Sequence, residues 1–154
     1  MSKQYYIAQM NLVKVLAPLD DPRMADFVDQ LDYINQLADD AAGFVWRYQD
    51  EHDVYDDDIL LNMSVWESIE DLHAYVYQGE HLQVLKQGAK WADKIDGYST
   101  VLWWIEKAQP FPTDYEAKAR MDHLLTHGPS EYAFTFAKRF VAPDGIVTSE
   151  TENA

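Results

Sequence analysis

Hydrophobic residues recur along the chain with two different periods, and these periods predict an order of strands and helices. The apolar run from Ile59 to Trp66 is rich in residues that favour a pleated surface, so it predicts a buried strand. Directly after it, Ser68 is suited to cap a helix in which Ile69 and Leu72 begin a helical apolar pattern. Gly79 should break that helix, and a second helical segment is predicted from about His81.

The same two periods predict the other elements of the chain. Asp21 can cap a helix that begins at Pro22, continues to about Ala41 and is followed by Gly43. The apolar stripe of this first helix is Met24, Phe27, Val28, Leu31, Ile34 and Leu37. Besides Ile59 to Trp66, the predicted strands are Tyr5 to Val13, Phe44 to Tyr48 and Ser99 to Ile105.

The predicted order is β-α-β-β-α-β with a further helix, which indicates an α+β fold. This order is that of the ferredoxin-like arrangement, an antiparallel sheet with its helices on one face. Thr113 and Glu116 form a capping box for the extra C-terminal helix, and residues 132–140 are predicted as a short added strand. We expect one domain over residues 1–142 and a flexible acidic tail over residues 143–154.

Alternation within the strands assigns side chains to two faces of the sheet, and neither face has a solvated pattern. One face is uniformly apolar and carries Tyr6, Ala8, Met10, Phe44, Trp46, Ile59, Leu61, Met63, Val65, Val101 and Trp103. The other face carries Gln9, Asn11, Arg47, Asn62, Ser64, Trp66, Leu102 and Trp104. A sheet covered by helices on one side only should show a polar outer face. Because neither face is polar, we expect a second copy of the chain to cover the face that the helices leave open, which predicts a homodimer.

The composition restricts the partners that this fold can have. A net charge of −15 makes nucleic acid and anionic membranes poor partners, because the charges repel each other. The absence of cysteine excludes disulfides, thiol catalysis and cysteine-ligated metals. The chain has no apolar run of transmembrane length and no signal-peptide pattern at its start, so a cytoplasmic location is expected.

Five side chains of the mixed face are candidates for binding a small molecule: Asn11, Arg47, Asn62, Ser64 and Trp66. Polar groups among apolar strands need partners, and several that converge on an apolar cleft are typical of a binding site. They could orient a substrate carbonyl or stabilise a phenolate, with Trp104 as a further wall. Arg47 could pair with an anionic group of the ligand, or with an acid such as Glu67 when the site is empty. The alternative interpretation is a hydrogen-bonded buried network or a dimer interface.

Histidines supply the candidate general bases. His73 and His81 flank the predicted helix break, and an imidazole can exchange a proton near neutral pH. A structural or surface role is the alternative interpretation for each of them.

The sequence predicts neither a metal site nor a nucleotide cofactor. His123 and His127 have the spacing of a two-histidine metal pair, but the glutamate of a metalloprotease motif is missing. The acidic segment 50–58 lacks the glycine and the spacing of an EF-hand, which favours a solvated loop. Glycine-rich phosphate-binding motifs are also missing.

Several long motifs resemble a bacterial domain-of-unknown-function family, the one numbered 3291. They are APLDDPRMADFVDQLDYINQLAD, GFVWR, NMSVWESIEDLHAYVY, VLWW and HGPSEYAFTF. The resemblance extends from about Tyr5 to Phe140 and implies the dimeric α/β-barrel superfamily, which includes antibiotic-biosynthesis and haem-degrading monooxygenases. Asn11 matches the haem-degrading pattern, but the Trp position of that pattern falls near Ala74 or Tyr75 and its His position near Leu85, so that activity is not implied.

Two hypotheses on function follow. The first is an enzyme that resembles cofactor-independent monooxygenases, or an isomerase or cyclase, acting on a hydrophobic aromatic or polyketide-like substrate. The second is a small-molecule-binding or stress-response barrel without turnover; a purely structural homodimer is a third interpretation. A titratable group near neutral pKa inside the pocket would favour the enzyme over the binding protein.

Overall fold

The computed structural model describes residues 4–77, 91–93, 95 and 97–143, and within them all four predicted strands are confirmed. The strands are β1 Tyr5–Val15, β2 Phe44–Arg47, β3 Ile59–Trp66, β4 Ala92–Asp93 and β5 Thr100–Glu106. The helices are α1 Ala25–Asp40, which follows a 3-10 turn at Pro22–Met24, α2 Ile69–Tyr77 and α3 Asp114–His127. The segment predicted to begin at His81 lies outside the described residues.

Side chains that accept hydrogen bonds from backbone amides fix the helix starts where the sequence predicts them. The Asp21 carboxylate accepts from the Arg23 amide at 2.8 Å, and the Ser68 hydroxyl accepts from the Asp71 amide at 3.1 Å. The Thr113 hydroxyl accepts from the Glu116 amide, also at 3.1 Å. Each bond satisfies an amide that the first turn of a helix would otherwise leave unpaired.

Gly43 connects α1 to β2, and its role differs from the predicted helix cap. The helix is capped at Ala41, two residues earlier, in an extended conformation. Gly43 has a φ of +83°, and a Cβ there would overlap the Asp71 side chain. A glycine is therefore required by the turn and by the close packing of α2.

The sheet is antiparallel with β1 at its centre. β3 pairs with one edge of β1 and β5 with the other, while β2 continues the sheet beyond β3. The two residues of β4 pair with the end of β1. This order, with α1 and α2 on one face, is the predicted ferredoxin-like arrangement.

The apolar face of the sheet packs against α3. Its buried core is Ala8, Met10, Leu12, Met63, Val65, Val101, Trp103 and Ile105 from the strands, with Ala117, Met121 and Leu124 from α3. The chain therefore covers this face with its own C-terminal helix. Packing against α3 therefore explains why this face lacks a solvated pattern, the feature from which we expected a second copy of the chain. The homodimer stays a prediction.

The opposite face, which we call the polar face, packs against α1 and α2. Its buried apolar residues form two separate clusters. One comprises Ile7, Ala38, Trp66, Ile69, Leu72, Leu102 and Phe134, and the other comprises Val15, Ala17, Met24, Phe27 and Trp91. The polar strand residues lie between these two clusters.

Phe44 is on the polar face, and its assignment to the apolar face was wrong. It pairs with Trp66, and the two ring centroids are 5.5 Å apart. The register shifts between Phe44 and Trp46, so two residues of equal parity point to opposite faces. Arg47, beyond the shift, pairs with Ser64 on the polar face as predicted.

The strand predicted over residues 132–140 is reduced to one bridge. Leu102 and Phe134 exchange two backbone hydrogen bonds, at 2.8 and 2.9 Å, and pairing stops there. A turn from Thr135 to Lys138 follows at once, which prevents a longer ladder. Residues 144–154 of the predicted tail lie outside the described residues.

Among the described residues, no helix has both the length and the apolar character that crossing a membrane requires.

Candidate functional site

A cavity of about 750 Å³ lies between the polar face of the sheet and helices α1 and α2. Its size is typical of a small-molecule site. Its polar lining is mostly neutral amide: Gln9, Asn11, Gln30, Asn35, Gln49 and Asn62. Its apolar lining includes Phe27, Leu31, Ile34, Leu60, Leu72, Tyr75, Tyr77, Trp91 and Phe136.

Two neighbouring positions of β1 supply the floor of the cavity. Gln9 and Asn11 are two residues apart, so their side chains point to the same face and lie about 7 Å apart along the strand. Asn11 pairs across the sheet with Asn62 on one side and Thr100 on the other. Asn62, Asn11 and Thr100 thus form a row across three strands, and the Asn11 amide donates to the Thr100 hydroxyl at 3.0 Å.

Gln9 connects this row to a buried hydrogen-bond network. Its amide nitrogen donates to the Asn62 carbonyl oxygen at 3.1 Å and to the Ser64 hydroxyl at 2.8 Å. The indole of Trp66 also donates to the Ser64 hydroxyl, at 2.8 Å. Ser64 and Trp66 are buried and do not line the cavity. Ser64 bonds directly to Gln9, and Trp66 bonds to Ser64. Both residues therefore hold Gln9 in place and do not lie in the described cavity wall, where we predicted them.

Arg47 lines the cavity at the β2 edge of the sheet. Its Nε donates to Asp39 of α1 at 2.9 Å, and its Nη2 is 3.4 Å from the other oxygen of that carboxylate. The Arg47 side chain is 20% exposed. Glu67, the acid that we expected opposite Arg47, pairs instead with Lys107 at 3.6 Å. Asp39 is nearer because α1 crosses the face to which Arg47 points.

Tyr75 joins the two helices above the cavity. Its hydroxyl donates to the backbone carbonyl of Ile34 in α1 at 2.9 Å. Burial raises the pKa of Tyr75 well above its ordinary value, with Asp39 adding to the rise and Arg47 opposing it. The phenol is therefore neutral at physiological pH and acts as a hydrogen-bond donor.

The candidate general bases are not in the cavity lining that the structure describes. His73 is on α2, where its ring packs against Tyr77 at 4.7 Å and Phe136 at 5.5 Å between centroids. His81 lies outside the described residues. The titratable residues of the described lining are Asp32, Arg47, Tyr48, Asp50, Tyr75 and Tyr77.

Trp104 is also separate from the cavity. Its indole donates to the backbone carbonyl of Phe140 at 2.7 Å, so it holds the C-terminal segment against β5. Trp104 is not part of the cavity lining that the structure describes, where we predicted it as a wall. Among the described residues, no group of three or more histidine or acidic side chains is arranged to hold a metal ion.

Sequence reasoning missed much of the cavity lining. Gln9 was assigned to the correct face, and its parity with Asn11 was the available signal. Gln30, Asn35 and Phe27 come from α1, whose rotation over the sheet is set by packing. Phe136 comes from the C-terminal segment, and no local pattern connects it to the site.

The chain has an α+β fold with a ferredoxin-like sheet, and an amide-lined cavity lies beneath two of its helices. Residues 6–150 match the family described as "Domain of unknown function (DUF3291)", and the chain belongs to that family. A comparison with curated proteins gives no match.

Several solved structures are similar to this chain at low identity. SnoaB, a cofactor-independent oxygenase from Streptomyces nogalater, has 14% identity and a TM-score of 0.47, covering 72% of this chain and 100% of that one. A putative antibiotic biosynthesis monooxygenase from Chloroflexus aurantiacus has 14% identity and a TM-score of 0.45, with coverages of 70% and 97%. A heme-degrading protein from Mycobacterium tuberculosis has 13% identity and a TM-score of 0.43, with coverages of 72% and 100%.

Proposed function

We propose that this protein binds a hydrophobic, aromatic or polyketide-like small molecule in the sheet–helix cavity. The observation that carries the proposal is the row of polar side chains on the cavity floor, Asn62, Asn11 and Thr100, between two apolar clusters. A flat ligand can direct its oxygen atoms to this row while its rings contact the apolar ends. Few placed polar groups in an apolar cavity are typical of ligand sites.

The neutrality of the floor supports this ligand class. The chain carries a net charge of −15, yet six amides contribute to the cavity lining. A carboxamide has two donor hydrogens and an acceptor oxygen with two lone pairs. The bonds within the row use only part of that capacity. Carbonyl and hydroxyl groups of a neutral aromatic ligand would find both donors and acceptors there.

Calorimetric titration with 2-naphthol tests the proposal. Leu31→Trp fills the cavity from α1, because the half-buried Leu31 side chain lines it. Tyr33→Trp is the matched control on the same helix, at a residue that is 46% exposed. We expect binding to wild type and to the control, and a loss of at least tenfold in Leu31→Trp. Equal affinity in all three proteins, each folded by circular dichroism, would contradict the proposal.

A second candidate function is turnover of the bound molecule without a cofactor, as a monooxygenase, isomerase or cyclase. The observation that favours it is the set of donors on the floor together with the Arg47 guanidinium at the cavity edge. Donors fixed in advance can stabilise the enolate or phenolate that such reactions form. A substrate that ionises readily would not need the imidazole of His73 as a base.

Oxygen uptake distinguishes turnover from binding. Wild type and Leu31→Trp are incubated with 1,8-dihydroxynaphthalene in an oxygen electrode. Uptake that depends on the open cavity supports a monooxygenase. Binding without uptake or product formation supports the non-catalytic binding protein.

The proposal includes a homodimer, although α3 covers the sheet face first expected to form its interface. Phe111 is 41% exposed and stacks on Trp46, with ring centroids 4.9 Å apart, and Tyr115 is 64% exposed. Apolar surface of this kind is available for a partner. Light scattering that gives a mass near 17.8 kDa at micromolar concentration would contradict the homodimer.

A further inference from the structure

We propose that Phe136 determines ligand specificity by limiting the length of the molecule that the cavity accepts at its α2 end. Phe136 belongs to the segment after α3, residues 129–140, which we call the strap. The inference rests on the proposed function, because it concerns the ligand of the same cavity. It adds a size limit to the aromatic class named above.

The strap begins on the α3 side of the sheet, where Arg120 fixes it. The Arg120 guanidinium donates to the backbone carbonyl of Tyr132 at 2.9 Å. It also lies 4.0 Å from the centroid of the Tyr132 ring, while a second nitrogen of the guanidinium bonds to Glu116 at 3.0 Å. This combination of a charge-assisted bond and a cation–π contact ties the start of the strap to α3.

Two further anchors hold the strap to β5 at the edge of the sheet. Phe134 is fully buried and exchanges two backbone hydrogen bonds with Leu102 of β5. The Trp104 indole donates to the Phe140 carbonyl at 2.7 Å. The strap is therefore held by β5 on both sides of Phe136, and it cannot move away from the polar face without breaking these bonds.

Between the two anchors, a tight turn presents Phe136. The Lys138 amide donates to the Thr135 hydroxyl at 3.0 Å, and the Arg139 guanidinium donates to the Phe136 carbonyl at 3.0 Å. Such a hydroxyl turn fixes the backbone locally. Phe136 is the residue after Thr135, so its direction is set by this turn.

The ring of Phe136 forms part of the cavity wall and packs against two other aromatic rings. It meets the rings of His73 and Tyr77 nearly edge to face, at 5.5 and 5.4 Å between centroids. Aromatic pairs of this geometry are stabilised beyond their burial. A ring held by two neighbours and a fixed backbone forms a rigid boundary. We expect an extra ring on the ligand to overlap with it.

The test measures the affinities for 2-naphthol and for the longer 2-anthrol, and takes their ratio. Phe136→Ala should shift the ratio towards 2-anthrol by about tenfold or more, since apolar pockets discriminate single groups by such factors. Phe136→Trp enlarges the boundary and should shift the ratio in the opposite direction. It also keeps the test decisive if the alanine variant does not fold.

Trp104→Phe is the control, because it removes the anchor to Phe140 while the Phe134 bridge and the turn at Thr135 still hold Phe136. A shift in Trp104→Phe as large as that in Phe136→Ala would overturn the inference, since strap anchoring would then set the length. An unchanged ratio in both Phe136 variants would also overturn it. If wild type binds neither molecule, the proposed function fails instead, so the two failures are distinguishable.

Discussion

Successive residues of β1 point to opposite faces of the sheet and meet opposite environments. Ala8 and Met10 are fully buried against other strands and α3, where polar partners are scarce. Gln9 and Asn11, beside them in the sequence, point into a cavity and bond to Asn62, Ser64 and Thr100. One strand thus supports a dry core and a polar cavity.

The comparison separates stability from binding. Dense apolar packing on the α3 side can hold the sheet, so the opposite side need not be filled. The cavity under α1 and α2 leaves apolar area without packing partners, which reduces stability. Substitutions on the α3 side should therefore mainly lower stability, whereas substitutions on the cavity side should mainly change ligand affinity.

The largest effect is expected from Met121→Ala, which truncates a side chain of α3 that is 1% exposed. Core truncations of this type cost about 2–5 kcal/mol. Urea denaturation should show a correspondingly lower free energy of unfolding, with little change in affinity for 2-naphthol. A cost below about 1 kcal/mol would show that α3 does not hold the apolar face.

Arg47→Met tests the charge at the cavity edge. We expect the affinity for 2-naphthoate to fall by about tenfold or more, which is about 1.4 kcal/mol, because a charge-assisted bond is lost. Stability should change little, since a partly exposed ion pair contributes about 0–1 kcal/mol.

Asp39→Asn should have the opposite effect on the same titration, because it releases Arg47 from its carboxylate partner. The neutral 2-naphthamide is the control ligand for both variants. If Arg47→Met binds 2-naphthoate as well as wild type does, Arg47 takes no part in binding. Wholesale unfolding of that variant would show that the residue is structural.

Leu31→Ala should cost less than Met121→Ala. The stripe of α1 predicts a core position, but Leu31 is only half-buried and lines the cavity. We expect a loss of about 1–2 kcal/mol, below the range for filled cores. A cost equal to that of Met121→Ala would mean that the cavity is closed in solution.

The smallest effects are expected from two tyrosines, one on each side. Tyr75→Phe removes a bond to the Ile34 carbonyl and should cost about 1 kcal/mol. The buried Tyr55 hydroxyl has no hydrogen-bond partner among the described residues, so Tyr55→Phe should be neutral or stabilising. Thermal denaturation of both variants makes the comparison, and equal losses would contradict it.

Tyr55 should also make stability depend on alkaline pH. Burial raises its pKa to about 12 from the ordinary value of 10, with Asp122 contributing. The folded state holds the phenol proton more tightly than the unfolded state does. The contribution of this proton to the free energy of unfolding is therefore complete below about pH 10 and is lost as the pH rises to about 12. Tyr55→Phe should reduce this decline, and an unchanged pH profile would contradict the assignment.

The sequence by itself determined the order of elements, the helix starts and most of the face assignments. Capping hydroxyls and carboxylates act on amides within a few residues, so Asp21, Ser68 and Thr113 could be interpreted locally. Strand alternation has a period of two, which is enough to assign Asn11, Asn62 and Arg47 to one face of the sheet. These are local signals, and the structure confirms them.

Only the tertiary structure decided which helix covers which face and what each polar side chain meets. The bulge before Trp46 reverses the face of Phe44, and no residue type there announces it. Asp39 rather than Glu67 meets Arg47 because α1 crosses above it. Phe136 reaches the cavity through a strap anchored to β5, a contact between segments distant in sequence. Local periodicity determines which side chains share a face, whereas the packing of separate elements determines which of them form a site.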